Sequence, residues 1–320
     1  MTLITLEWFY ALAGAIMLGV ALRIARDAGH PRRAGSAAFW ALLGLVFVAG
    51  KWIPPVWAGL AVVILAVLAA TGQVVRSGER ERPKPERDTD AARLGNRLFW
   101  RAVLVPAVTV LGSLTLGRIA IGHVHLVDPK QVTLIALGGG AVAAMALALR
   151  FTRAPVSAPL AEGSRLLQTL GWSLVLPQLL AALGLVFAQS GVGEVVAGLV
   201  AQVLPPQFPF VAVAAYCLGM ALFTICLGNA FAAFAVITGG IGLPLIVQRH
   251  GGDPAIMAAI GMLSGYCGTL LTPLAANFNL VPALLLDLPD RNAVIKAQLP
   301  VALVLLPVNV LLMWLLVYRF

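Results

Sequence analysis

Between Val195 and Gln248 the chain carries no charged residue, and after a short polar turn a second uncharged run extends from Pro254 to Leu286. A membrane span needs about 20 mainly apolar residues. The first run is therefore long enough for two helices with no hydrophilic turn between them, and the second is too long for one span and too short for two. Irregular backbone inside such runs survives in lipid only where protein or a cavity satisfies it. The composition agrees: 60% of the 320 residues are hydrophobic and 11% charged, against about 45–50% and about 25% in soluble domains. A soluble globular enzyme, a disordered chain, a collagen and a disulfide scaffold are all excluded, and the expected fold is an all-α polytopic helical membrane protein of about 10 helical segments.

Six ordinary spans precede or overlap the first run, at about Leu3–Ile24, Ser36–Ala49, Val56–Val75, Leu98–Gly117, Gln131–Leu149 and Leu166–Gln189, and a last one covers Val301–Tyr318. Lys51, Trp52, Pro54 and Pro55 mark a turn at the membrane surface. Glu7 and the lack of a basic segment before the first apolar run, itself longer than a signal-peptide core, imply that this run stays as a helix. The stretch 76–97, of mixed charge and nearly free of apolar residues, reads as a cytoplasmic linker. It separates an N-terminal three-helix part (1–75) from a larger C-terminal part (98–320). With the N-terminus outside and the hairpin returning to its starting side, 17 of the 22 basic residues fall on the cytoplasmic side, as expected for a multi-pass protein of a bacterial inner membrane. The net charge of +9 is thus a mark of topology, and nucleic acid is not an expected partner.

Intramembrane ionisable groups are the usual carriers of function in such proteins, and here the acids (Glu7, Asp27, the linker group, Asp128, Glu162, Glu194, Asp253, Asp287, Asp290) all lie near span ends or in loops. A carboxylate proton relay is not expected. Arg118 reads as snorkelling to the outer interface. His30, His123, His125 and His250 sit at membrane edges, and His123 with His125 makes two metal ligands without a third. Cys217, Cys226 and Cys267 lie in apolar stretches without metal-ligand spacing. No acid or histidine lies beside Ser264 or Thr269 to serve as a base, so an enzyme is not expected, and neither a metal nor an organic cofactor is.

What remains is two neutral polar breaks. The first, Leu227-Gly228-Asn229-Ala230, divides a hairpin over 208–248 and reads either as a re-entrant tip or as a tight turn held by protein. The second, Gly268-Thr269-Leu270-Leu271-Thr272-Pro273 followed by Asn277 and Asn279, falls within 254–286 and predicts a helix that unwinds and resumes. Broken helices offer unpaired N–H groups to an anion and unpaired carbonyls to Na⁺. The candidate site is therefore Gly228, Asn229, Ala230, Gly268, Thr269, Thr272, Pro273, Asn277 and Asn279, with a coupling Na⁺ near Asn229 and Gly268, or H⁺, as the ions to consider. Close helix packing is the alternative use of small residues, and it is preferred for Gly138-Gly139-Gly140.

In this order of features the chain resembles one repeat of the ion-transporter superfamily, which includes the divalent anion/sodium symporters. The tip at Asn229, the second arm closing on Gly242-Leu243-Pro244, the unwound segment from Gly268 to Pro273 with Asn277, and the preceding helix ending Gln189-Ser190-Gly191 carry the likeness over about Pro177 to Asp290. Gly228 and Ala230 replace the family's Ser and Thr, which reduces the side-chain ligands for sodium. The whole chain more closely resembles an uncharacterised bacterial membrane family, a domain of unknown function, whose members are commonly encoded beside a second, smaller membrane protein and often near 5-oxoproline metabolism. The resemblance implies a permease subunit for a small organic anion, such as the carboxylate 5-oxoproline, working by alternating access. Carriers of this class place the substrate between two inverted repeats, and one hairpin with one broken helix is a single repeat. The second is expected from a smaller membrane subunit, or otherwise from a homodimer mate. The rival expectation is a membrane scaffold or assembly subunit without a substrate site.

Overall fold

The computed structural model describes residues 2–77, 84–121, 124–203 and 208–319. His123 and the start of the charged stretch, 78–83, lie outside them. The described chain is almost wholly helical, and six of its helices are long and apolar enough to cross a membrane: Leu6–Arg26, Phe99–Arg118, Val132–Thr152, Pro209–Leu227, Ala230–Arg249 and Ala293–Leu316. Arg33–Ala49, Pro55–Ala70 and Pro254–Leu270 are shorter apolar helices. The chain is thus an all-α, membrane-embedded type of protein. It divides into two compact units, Met1–Gly171 and Trp172–Phe320, which leaves the charged stretch 76–97 inside the first.

The first unit contains α1 (Leu6–Arg26), α2 (Arg33–Ala49), α3 (Pro55–Ala70), α4 (Lys84–Leu94), α5 (Arg97–Thr115), α6 (Val132–Thr152) and α7 (Ala158–Leu170). Gly14 and Gly44 let α1 and α2 touch backbone to backbone, since a Cβ on Gly44 would lie 2.9 Å from the Gly14 carbonyl. Gly140 of α6 meets the Val105 carbonyl of α5 and Gly138 meets Phe9, whereas Gly139 faces open space. Two of the three glycines in that run therefore serve packing.

Two sequence expectations are corrected in or beside this unit, and one feature is added to them. The charged linker is partly helical: α4 takes up Lys84–Leu94, because Lys, Glu, Arg and Ala are good helix formers even without a core to pack on, and Leu94 is buried. The span expected at Leu166–Gln189 is instead the amphipathic α7, a short 3₁₀ turn at Gly171–Leu174 and a separate helix from Leu176. Gly171 breaks it by taking φ 54, ψ −134, a conformation that a side chain would oppose. Finally, a small sheet joins β1 (Thr2–Ile4), β3 (Val124–Val127) and β2 (Ala120–Ile121) in the order β1-β3-β2.

That sheet orders the helices. Thr2 pairs with His125, and α1, α2, α3 and α5 intervene, so an even number of passes returns the chain to one end of the unit. At the other end Ser36 Oγ donates to the Gln73 carbonyl at 2.8 Å and the Ser77 amide donates to Gln168 Oε1 at 3.0 Å.

The second unit holds α8 (Leu176–Gln189), α9 (Val192–Val203), α10 (Pro209–Leu227), α11 (Ala230–Ile237), α12 (Pro254–Leu270), α13 (Leu280–Leu285) and α14 (Ala293–Leu316). Helix α10 is apolar all round: Val213, Tyr216, Cys217 and Met220 are fully buried among α11, α12 and α14, and Leu218 and Leu222 on the other face are exposed. Helix α11 widens into a π-helix over Thr238–Arg249. The second arm therefore runs through Pro244 instead of closing on Gly242-Leu243-Pro244: the wider turn accommodates a residue that cannot donate in an α-helix. Asp253 then caps α12, its Oδ1 accepting from the Ala255 and Ile256 amides at 2.8 Å, with Pro254 at the first helical position. The Asp253 amide donates to the Val317 carbonyl, and Tyr318 Oη donates to the Pro209 carbonyl. The start of α10, the start of α12 and the end of α14 thus share one end of the unit.

The sheet carries a test. Single cysteines at Thr2 and His125 should react with a membrane-impermeant maleimide from the same face of sealed vesicles, and a cysteine at Thr71 from the opposite face. Labelling of Thr2 and His125 from different faces would contradict the β1–β3 pairing.

Candidate functional site

Helix α10 ends at Leu227, and Gly228 takes the left-handed conformation, φ 70 and ψ 6, with its amide donating to the Thr224 carbonyl at 2.7 Å. Asn229 immediately caps α11, its Oδ1 accepting from the Phe231 amide at 2.9 Å. A C-cap and an N-cap on adjacent residues reverse the chain without water. The tip is a tight turn, and it joins two arms that are each long and apolar enough to cross a membrane. Gly228 is required twice, by its φ and because a Cβ there would lie 2.6 Å from Leu274. The tip therefore rests directly on the second break.

That break runs from Leu271 to Asn279, between α12 and the six-residue α13. Helix α12 is 17 residues long, so it opens about 25 Å from its Asp253 end. One turn before the opening, Cys267 accepts from Asn309 Nδ2 at 3.6 Å, and 16 residues of α14 still separate Asn309 from Ala293. Pro273, Leu274 and Asn279 of the break share a cavity with Arg291 and Asn292 at the start of α14.

Opening a helix releases carbonyls, and Asn279 captures them. Its Nδ2 donates to the Thr269 carbonyl at 2.8 Å and to the Thr272 carbonyl at 2.7 Å. Thr272 Oγ1 accepts from the Leu274 amide at 3.3 Å, and the Gly268 carbonyl accepts from the Leu271 amide at 3.1 Å. Thr269 Oγ1 donates to the Tyr266 carbonyl at 2.7 Å.

Tip and break line a half-open cavity of about 430 Å³, with Gly228, Asn229, Ala230 and Phe231 on one side and Tyr266, Thr269 and Ala275–Phe278 on the other. Five of the nine sequence-predicted site residues meet there: Gly228, Asn229, Ala230, Thr269 and Asn277. The other four do not line it. Gly268 is turned onto α10, where a Cβ would strike the Ala221 carbonyl. Thr272 is buried in the hydrogen bonding of the break. Pro273 and Asn279 line a second cavity of about 330 Å³.

Sequence reading missed Phe231, Tyr266, Ala275, Ala276 and Phe278. Tyr266 lies three residues before Thr269 and so on the same helix face, a spacing that could have found it. Its ring approaches Phe278 with centroids 6.5 Å apart. The cavity carries no charged side chain. Asn229 can present Nδ2, since Oδ1 is spent on the cap, and Thr269 Oγ1 keeps its capacity to accept. The N-terminus of α11 and the C-terminus of α12 add dipoles of opposite sign. Near the expected Na⁺ position, Asn229 Oδ1 and the Gly268 carbonyl each accept from one backbone amide. Among the described residues, no group of three or more His, Cys, Asp or Glu is gathered for a metal ion.

Replacing Asn279 by Ala or Asp should each lower the stability of the detergent-solubilised protein by about 1–3 kcal/mol, because two buried carbonyls lose their donor. Asp should be at least as costly, since its carboxylate keeps the shape but cannot donate. Thermal unfolding measures this, and a wild-type midpoint for both variants would remove Asn279 as the clamp.

No curated protein and no solved structure matches the chain significantly, and nothing in these comparisons links it to the ion-transporter superfamily. A family model does match, over residues 7–318. The chain therefore belongs to the family described as protein of unknown function (DUF979).

Proposed function

We propose that this chain is one subunit of a secondary transporter that carries a small organic anion, a carboxylate of the size of 5-oxoproline, by alternating access. The observation that carries the reading is the convergence of two polar breaks, some 40 residues apart in sequence, on one cavity of about 430 Å³, within the range of small-molecule sites. Asn229 Nδ2 and the α11 N-terminus would hold the anionic end, and Thr269, Tyr266 and Asn277 its polar remainder. Among the described residues there is no second pairing of a helix tip with a broken helix, which supports a partner supplying the opposing repeat. A different, smaller membrane subunit serves this better than a second copy. The coupling ion, Na⁺ or H⁺, would then depend on groups from both chains.

A scaffold or assembly role is favoured by one observation: Gly268 serves packing, and Thr272 serves the hydrogen bonding of its own segment, neither facing the cavity. The two readings part on transport. In proteoliposomes containing the chain with its co-purifying membrane partner, Asn229→Ser and Thr269→Ala should each slow the initial uptake of radiolabelled 5-oxoproline about tenfold, the worth of one hydrogen bond to a charged solute. Serine retains an N-cap acceptor, so insertion should be unchanged. Uptake at the wild-type rate in both variants, or none by the wild type for any small carboxylate, would sink the transport reading.

A further inference from the structure

Where α4, α6 and α7 meet, the first unit carries an open groove of about 770 Å³. Its walls are apolar, with Leu94, Met145, Leu149, Pro159, Gly163 and Leu166 along them. Met145 and Leu149 belong to the final turns of α6, a helix long and apolar enough to cross a membrane. Opposite them α7 presents one face, since Pro159, Glu162, Gly163 and Leu166 recur at helical spacing. The groove therefore opens at the end of a span and follows it inward. Phe99 and Trp100 of α5 and Val156 before α7 are largely exposed at the same end, as residues at the headgroup level of a bilayer are.

Basic groups gather around this opening. Arg93 lines the groove, and Arg150 and Arg153 are interspersed with the lining residues Leu149, Thr152 and Ala154. Helix α5 brings two more: the Arg101 guanidinium stacks on the Phe151 ring, 3.3 Å from its centroid, and donates to the Arg97 carbonyl. Arg97, Arg150 and Arg153 are exposed, and among the described residues no ion pair takes them up. The acids nearby are matched: Glu162, which lines the groove, pairs with Arg165 at 3.0 Å, and Glu86, Asp88 and Asp90 of α4 are equalled by its Lys84, Arg87 and Arg93. Topology accounts for an excess of arginine at one end of a span, but not for its arrangement around an apolar groove. We infer that the groove binds an anionic phospholipid, with the phosphate on Arg150 and Arg153 and an acyl chain laid between α6 and α7. The planar arginine fork suits phosphate, and Arg97 and Arg101 add to the positive field at the opening. The site lies in the first unit and does not rest on the transport reading.

The test gives the full-length, delipidated protein equal amounts of phosphatidylglycerol and phosphatidylcholine with the same acyl chains, and reads retained lipid by native mass spectrometry. Phosphatidylglycerol should be retained at least about tenfold over phosphatidylcholine. Arg150→Gln with Arg153→Gln should bring that ratio close to parity, and the corresponding lysine pair should keep part of it. Arg32→Gln with Arg33→Gln, exposed arginines at the start of α2 and outside the groove, should leave it unchanged. A side chain at Gly163 meets open space, so Gly163→Phe should fill the groove and lower phosphatidylglycerol retention several-fold, while Gly163→Ala should not. Equal retention of the two lipids, or the same loss of preference in both arginine pairs, would overturn the site in favour of diffuse surface charge. Retention unmoved by Gly163→Phe would overturn the groove as the seat of the lipid. Displacement of phosphatidylglycerol by the co-purifying membrane subunit, with the groove residues then protected from labelling, would overturn it in favour of a protein occupant.

Discussion

A helix that opens leaves carbonyls in need of new donors, and the second unit is organised around the side-chain amide of Asn279, which supplies two of them. Asn279 Nδ2 bridges the Thr269 and Thr272 carbonyls, so the chain can leave helical geometry after Leu270 and cross to α13 without losing its hydrogen bonds. The hairpin tip solves the same problem with Gly228 and Asn229 as back-to-back caps. Because Gly228 lies against Leu274, each irregular segment is held by the other, and the cavity between them follows from that contact. Remove the bridge and the break has no reason to hold the path that supports the tip.

The packing beneath is built for close approach. Gly261, Gly265 and Gly268 form a stripe along α12 against Tyr216, Met220, Ala221 and Thr224 of α10, and where apolar burial offers no drive between helices in lipid, such backbone proximity supplies the attraction. The stripe explains why Gly268, chosen from sequence as a site residue, is spent on packing. A glycine one turn below an opening satisfies the pattern of a broken helix and of a helix seam equally, and the two are separated by which face it occupies.

Much of this was legible in the chain. Charge-free runs specified the hairpin and the broken helix, because Gly-Asn and Thr-Pro are the points where such runs cannot stay helical. What stayed hidden depended on non-local geometry. Asn279 bonds to a carbonyl ten residues back, which is determined by the path of the break and not by spacing. Asn309 sits in a helix that reads as an ordinary span, yet is buried against Cys267. The expected span at Leu166–Gln189 failed because hydropathy ignores a single backbone conformation, and Gly171 adopts one that no apolar neighbour signals. The pairing of β1 with β3 was invisible because two-to-four-residue strands carry too little pattern, although it fixes the parity of the helices between them.

One nine-residue segment contributes to both cavities, which sets a condition on the conformational change that the proposed transport would require. The segment can shift only if Asn279 releases its two carbonyls or Leu274 leaves Gly228. Each neutral hydrogen bond contributes about 0.5–1.5 kcal/mol net, so release of the clamp costs on the order of 1–3 kcal/mol, and the opened form would be a minor but accessible population. A group that donated to the Thr269 and Thr272 carbonyls, or accepted from Asn279 Nδ2, would lower that cost by replacing the broken bonds. In the transport reading proposed above, the neutral polarity of the first cavity has a physical use: a fixed charge there would retain an anion, whereas dipoles and amide groups would hold it and let it leave.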